Sequence, residues 1–314
     1  MKQILRSSRL VAARCLRAAI IIPALCWAVA PAFAQVINFN DGTDKNAVRM
    51  DPIQQALEAT YGPPQSAFVA WSFPEGGYRL QSDVSPDPAL GPSRGGSYWT
   101  NAIYTYTNFY VSVDVRPWGT NGNQAVGILG RIQDYSGGGA TFAYTLSYEP
   151  GVQDFQLTSF NGGDFVVLNV QKVDLSPTNS HRLVFTGTGE SLEGRIYALP
   201  DGINPVATIT AKDANYSLGW CGILVFSINN AATDATYDNY VALPEPPPSL
   251  SITRSGAEVW VSWPVGLINY TLQSNSVLPA VNWTPITNGI TQSGGQYSYK
   301  TTPASTAFYR LMTN

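Results

Sequence analysis

Trp118 lies in the stretch RPWGTNGN, where glycines and amides replace the apolar alternation on either side, and its indole is the ring least easily assigned to a core. A flat ring in such a place can stack beneath a pyranose while amides, carboxylates or guanidinium groups read the hydroxyls. Tyr135 borders a second loop. On strand-like segments, Arg131 shares a face with Leu129, while Tyr144, Leu146 and Tyr148 alternate off another. With Arg79 and Arg94, these residues are expected to line a polar, aromatic sheet face that holds a ligand. The competing reading is that the tyrosines serve strand propensity and the arginines pair with local acids.

Catalytic chemistry finds less support. Retaining glycoside hydrolysis needs two carboxyl groups about 5 Å apart. The nearest spacings are Glu149 and Asp154 in EPGVQD, and Glu190 and Glu193 in ESLE; both flank turns, where acids are ordinarily solvated. His181, the only histidine, stands at the entry to a strand in TNSHRLVF, and no G-x-S-x-G supplies a nucleophile for it to activate. Beyond residue 34 the only cysteine is Cys221, in the apolar run WCGILVFSI, expected to be a buried and inert thiol. One histidine and one cysteine cannot complete a zinc site. The glycines of SGGGATF are followed by neither a lysine nor a helix, so they form a hairpin turn and not a phosphate cradle. No residue is assigned a catalytic role.

The elements that must position these side chains are strands. Charged residues make up only 12% of the chain, which carries 28 glycines and 22 prolines. That balance suits short strands joined by tight turns. From Val36 onward, segments such as FYVSVDV, TFAYTLSYE and CGILVFSI place apolar and aromatic residues on alternate positions, bounded by turns such as PEGG, NGGD and GTGE. About a dozen such strands are better closed as two packed layers than spread in one sheet. The fold class is therefore all-β, a two-sheet β-sandwich. One helix is expected near residues 52–61, capped by Asp51, begun at Pro52 and ended by Gly62 and Pro63.

Lys2, Arg6, Arg9, Arg14 and Arg17 precede the apolar run AAIIIPALCWAVA, which closes on PAFA. Residues 1–34 therefore read as a secretory signal peptide cleaved after Ala34, which predicts export to the periplasm, cell surface or medium. No later stretch approaches the roughly 18 apolar residues of a membrane span. The net charge of −3 includes five bases in the signal, so the exported part is more acidic still. It has no Lys/Arg cluster, which argues against nucleic acid as a partner. The stretch PEPPP at 244–248 cannot continue a central strand and reads as a semi-rigid linker between a sandwich over 35–243 and a smaller module over 249–314. Trp263 is the expected core anchor of the latter.

The segments INFNDGTD, FYVSVDV, QAVGILGRIQD, HRLVFTGTGESLEGRIYAL and GILVFS with ATYDNYVAL resemble the concanavalin A-like lectin/glucanase superfamily, within it the laminin-G-like jelly rolls. VWVSWP, YTLQSNSVL with NWTPI, and the closing FYRL are similar to the immunoglobulin-like or fibronectin-III-like modules of secreted bacterial proteins, which implies an accessory role. The glucanase pattern E-x-D-x-x-E and the sialidase box S-x-D-x-G-x-T-W are both absent. The first resemblance also implies calcium as a structural cofactor tying the first strand to the last, with Asp41 and Asp44 of NDGTD and Asp238 of TYDNY as its ligands, although the D-x-D-x-D-G loop is missing. The expectation is an exported, non-catalytic protein that binds a glycan or an extracellular protein ligand through its first module. The alternatives are a divergent glycoside hydrolase or lyase using Glu149 and Asp154, and a purely structural surface protein. Oligomeric state is not specified by the sequence.

Overall fold

The computed structural model describes residues 35–100, 105–133, 141–162, 164–200, 202, 204–266, 269–278, 282–303 and 305–313. The signal peptide and Tyr135 lie outside the described residues. In chain order the first strands are β1 (Gln35–Ile37), β2 (Val48–Met50), β3 (Val69–Ser72), β4 (Tyr78–Ser82), β5 (Arg94–Tyr98), β6 (Phe109–Val115), β7 (Gln124–Ile132) and β8 (Thr141–Glu149). They continue as β9 (Asp154–Gly162), β10 (Asp164–Lys172), β11 (His181–Thr188), β12 (Ser191–Ala198), β13 (Ala207–Lys212), β14 (Trp220–Ser227) and β15 (Thr233–Leu243).

These strands form a two-sheet β-sandwich. An eight-stranded sheet runs β13-β12-β11-β6-β15-β4-β3, with β1 added on β15, and a seven-stranded sheet runs β10-β9-β8-β7-β14-β5-β2. Alternation decides what each strand contributes. Val111, Val113 and Val115 of β6 and Leu183 and Phe185 of β11 meet Ile128 of β7, Leu146 of β8 and Ile223 and Val225 of β14 in one core. Burying side chains of this size is worth about 1.5–3 kcal/mol each, so a one-residue slip, which turns the whole set outward, would cost most of the stability. Asn169 of β10 donates to the Thr210 carbonyl of β13 (2.7 Å), tying the sheets together at one edge.

One irregularity matters for the site residues. On β14, Trp220 faces Ile132 and Gly222 faces Leu129, so Gly130 and Arg131 together oppose the single residue Cys221. This is a β-bulge, with Arg131 in the left-handed region at φ 52°.

Among the described residues there is one α-helix, α1, spanning Pro52–Tyr61. Asp51 caps it by accepting from the Gln54 amide (3.0 Å), and its other carboxylate oxygen accepts from the amides of Phe68 (2.7 Å) and Val69 (2.8 Å). One buried carboxylate thus fixes both the start of the helix and the entry to β3. Asp51→Ala strands three amides and is expected to lower stability by about 3 kcal/mol, read from the denaturant midpoint; a loss under about 1 kcal/mol would contradict this role.

Beyond the prolines at 244–248 lie β16 (Ser251–Ser255), β17 (Glu258–Pro264), β18 (Tyr270–Asn275), β19 (Thr284–Pro285), β20 (Ile290–Ser293), β21 (Gln296–Thr301) and β22 (Phe308–Thr313). Among the described residues they pair only with one another, in a four-stranded and a three-stranded sheet. Val261, Trp263 and Leu272 form their core, with Trp263 stacked on Tyr297 at 5.5 Å. Among the described residues no helix is long and apolar enough to cross a membrane.

Candidate functional site

The structure divides the expected ligand face. Arg131 does not share a face with Leu129: the bulge turns it inward, where it is 1% exposed and bonded to backbone carbonyls. Tyr144 and Tyr148 point into the core as well. The Tyr144 hydroxyl donates to Asp213 (2.6 Å) and accepts from the Tyr216 amide (3.0 Å), and the Tyr148 hydroxyl donates to the Val173 carbonyl (2.9 Å). Alternation correctly places both tyrosines on one face of β8, but that face is the inner one. These three residues are positioned to hold the fold together and not to meet a ligand.

The remaining candidates fall into two clefts. Trp118 and Arg79 line a cleft of about 650 Å³ at one end of the sandwich, between the turn at Glu75, the loop after β6 and the outer side of β4 and β15. Arg94 lines another, of about 780 Å³, on the outer face of the seven-stranded sheet.

The end cleft is built by local rules. β6 stops at Val115, and Arg116 still donates its amide to the Thr236 carbonyl (2.9 Å) before Pro117 ends the pairing. Gly119 then takes the left-handed region at φ 58°, and its amide donates to the Pro177 carbonyl (3.1 Å). Between them the Trp118 ring is half-buried, stacked on His181 (4.9 Å, 29°) and tilted against Tyr148 (5.5 Å). His181 opens β11, an interior strand, and lies fully buried beneath the indole. Burial holds its imidazole below the usual histidine range, with the Asn179 backbone acting weakly the other way.

Opposite the ring, Arg79 grips Asp234 through two bonds, Nε to Oδ1 (2.7 Å) and Nη2 to Oδ2 (2.5 Å). The Asp234 hydrogen bond holds the guanidinium above the usual arginine range. Asp234 is fixed from behind: the buried Gln124 side chain accepts from its amide (2.7 Å) and donates to its carbonyl (2.9 Å). Arg116 donates to the carbonyls of Pro74 (3.2 Å) and Glu75 (3.0 Å) and to the Asp238 carboxylate (3.0 Å). It thereby holds a turn in which Glu75 sits in the left-handed region at φ 51°, a conformation costing about 1–2 kcal/mol for a residue with a Cβ. The result is an aromatic face, a rigid acid–guanidinium pair and the amide of Asn121 around one opening.

Glu75, Arg116, Asn121 and Asp234 are absent from the sequence-derived set. Arg116 and Asn121 adjoin Trp118 in RPWGTNGN, a signal that was available. Asp234 pairs with Arg79 across 155 positions, and nothing local announces that.

The second cleft is floored by Leu224, Phe226, Thr158 and Phe160 and edged by Phe165, with Glu149 and Arg94 toward one end. Glu149 faces Asp154 directly across the β8–β9 hairpin. Burial, and then Asp154, push the Glu149 carboxyl above its usual range, against a hydrogen bond from Gln156. Asp154 is held by Lys172 (2.8 Å).

The three acids expected to hold calcium each have a base: Asp41 with Lys45, Asp44 with Arg49 (2.9 Å), and Asp238 with Arg116. Among the described residues no three His, Cys, Asp or Glu side chains converge as a metal site.

No protein-family model matches the sequence, and comparison with curated proteins finds no match. Solved structures do resemble it. The carbohydrate-binding module CBM66 from Bacillus subtilis is 19% identical, covering 55% of this chain and 91% of its own, with a TM-score of 0.42. A Bacillus licheniformis β-glucanase is 14% identical over 69% of this chain and 100% of its own (TM-score 0.44). Lectin II from Ulex europaeus is 13% identical over 67% of this chain and 97% of its own (TM-score 0.41). At such identities and TM-scores these likenesses carry no argument about what this chain binds; its own side chains must carry that.

Proposed function

We propose that the protein binds glycans in the end cleft, as an exported, non-catalytic protein whose segment after the proline linker is accessory. The observation that carries this reading is that Trp118 and the Arg79–Asp234 pair face one opening of about 650 Å³. A pyranose presents an apolar face of C–H groups and an equatorial ring of hydroxyls. The first suits an indole and the second a carboxylate and guanidinium fixed in one plane. Because Gln124 and Gln81 already hold Asp234, little side-chain freedom is lost when a sugar binds.

Affinity electrophoresis of the purified protein in gels containing soluble β-glucan, glucomannan, galactomannan or pullulan tests the proposal. At least one polymer should retard the wild-type protein, and Asp234→Ala should weaken that retardation about tenfold or more, the worth of one or two hydrogen bonds to a charged group. Unretarded migration in every gel would count against glycan binding. The same polymers assayed for reducing ends separate binding from cleavage: binding alone releases none, whereas release that depends on Glu149 would favour the hydrolase.

A further inference from the structure

The chemistry of the end cleft selects among glycans. On the outer face of the eight-stranded sheet, four guanidinium groups each meet a carboxylate: Arg79 with Asp234, Arg116 with Asp238, Arg182 with Asp114 and Arg195 with Glu193. Register produces this. Arg182 and Asp114 are cross-strand neighbours, Asp238 faces Asp114, and Gln81 faces Asp234 while Arg79 reaches it on the diagonal. The face is strongly polar, yet the charge of these four guanidinium groups is already neutralised within the chain. Glu75 at the cleft mouth is the exception on the negative side: it is exposed and has no basic partner among the described residues. With Arg79 neutralised by Asp234 and Arg116 by Asp238 behind it, Glu75 leaves one uncompensated negative charge at the opening.

We propose that this cleft takes uncharged sugars bearing vicinal hydroxyls and excludes uronic acids and sulfated sugars, a statement that rests on the glycan reading above. Arg79 uses Nε and Nη2 on Asp234, leaving the two N–H groups of Nη1 without a partner among the described residues. Asp234 Oδ2 already accepts from both Arg79 and Gln81, whereas Oδ1 accepts only from Arg79 and keeps a lone pair. One sugar hydroxyl donates to Asp234 while its neighbour accepts from Arg79, a fit that needs an adjacent pair of hydroxyls on one ring. A carboxylate or sulfate in that place can accept from Arg79 but has nothing to donate to Asp234. It also stands within a Debye length of Asp234, Asp238 and Glu75. Net charge works the same way, the chain being acidic overall at −3.

The test compares a neutral polymer with itself. Whichever of the four polysaccharides retards the protein is oxidised at its primary alcohols, which converts CH2OH to carboxylate and leaves the ring hydroxyls in place. The oxidised polymer should bind about tenfold more weakly at low ionic strength, and the difference should shrink in about 0.5 M salt. Glu75→Gln should narrow the ratio of the two affinities to about threefold. Equal or tighter binding of the oxidised polymer, or a difference that neither salt nor Glu75→Gln reduces, overturns the selectivity. Failure to bind any neutral polymer overturns the glycan reading instead, so the two outcomes remain distinct.

Discussion

Replacing Arg131 by methionine is expected to destabilise the protein by about 3 kcal/mol, since each of three part-buried carbonyls that loses a charged donor costs about 1 kcal/mol or more. The guanidinium is 1% exposed. It donates to the Thr107 carbonyl through Nε (3.0 Å) and Nη2 (2.7 Å), to Tyr216 through Nη1 (2.8 Å) and to Gly189 through Nη2 (2.7 Å). These carbonyls belong to three separate connections, so one planar fork fastens those connections to one another. Its carbon chain is also packed, with the guanidinium over the Phe109 ring at 5.5 Å. Burial draws its pKa down, but an arginine stays protonated, and the carbonyl dipoles replace the water it has lost. Methionine fills much of the volume and leaves three part-buried carbonyls without this donor. Lysine keeps the charge but cannot reach three acceptors from a single nitrogen in the same plane, so Arg131→Lys should recover less than half of the loss. Urea denaturation of wild type and both variants measures this; a methionine variant within about 1 kcal/mol of wild type, at unchanged m-value, would refute the keystone role.

Trp118→Ala is expected to weaken glycan binding about thirtyfold and, separately, to flatten the acid side of the stability profile. The first effect follows from losing the stacking face, worth about 2 kcal/mol at a central aromatic anchor. The second comes from His181 beneath it. Burial lowers the folded-state pKa of His181 from 6.5, so the unfolded chain takes up a proton first as pH falls. Stability from this source is complete above about pH 6.5 and declines as the pH drops through that value toward the folded one. Removing the indole admits water to the imidazole, returns its pKa toward 6.5 and reduces the decline. Glu149 works with the opposite sign: its raised pKa makes the folded state hold a proton more tightly, so its contribution is present at low pH and is lost as pH rises through the folded value. Thermal melts from about pH 7.5 to about pH 5, in a Glu149→Gln background, isolate the histidine. An unchanged slope in Trp118→Ala would show that the indole does not control His181, and undiminished retention by polysaccharide would remove Trp118 from the site.

The sandwich was legible in the sequence because its code is local. A side chain on a strand faces the core or not according to its neighbours one and two positions away, and the helix beginning at Pro52 declares itself by Asp51 before it and Gly62 after it. Trp118 stood out by the same logic, as a large ring where alternation had ceased. Alternation assigns side chains to one of two faces, however, without saying which face is inner. That is how Tyr144 and Tyr148, correctly placed together, were expected outside and lie inside. Arg131 moved for a different reason: the bulge that turns it inward exists only because β14 lies beside β7 with one residue fewer, and neither strand encodes that count alone.

What the sequence by itself determined is the class of fold, the helix at 52–61, Trp263 as the anchor of the second core and one member of the cleft on each side, Trp118 and Arg79. Only the tertiary structure decided that those two share an opening, that Asp234 joins Arg79 from 155 positions away, and that the bases near Asp41, Asp44 and Asp238 take up their charges. The physical reason is that backbone geometry repeats every two residues and can be read along the chain, whereas a binding site is an arrangement across strands, set by pairing partners that the chain reaches only by folding.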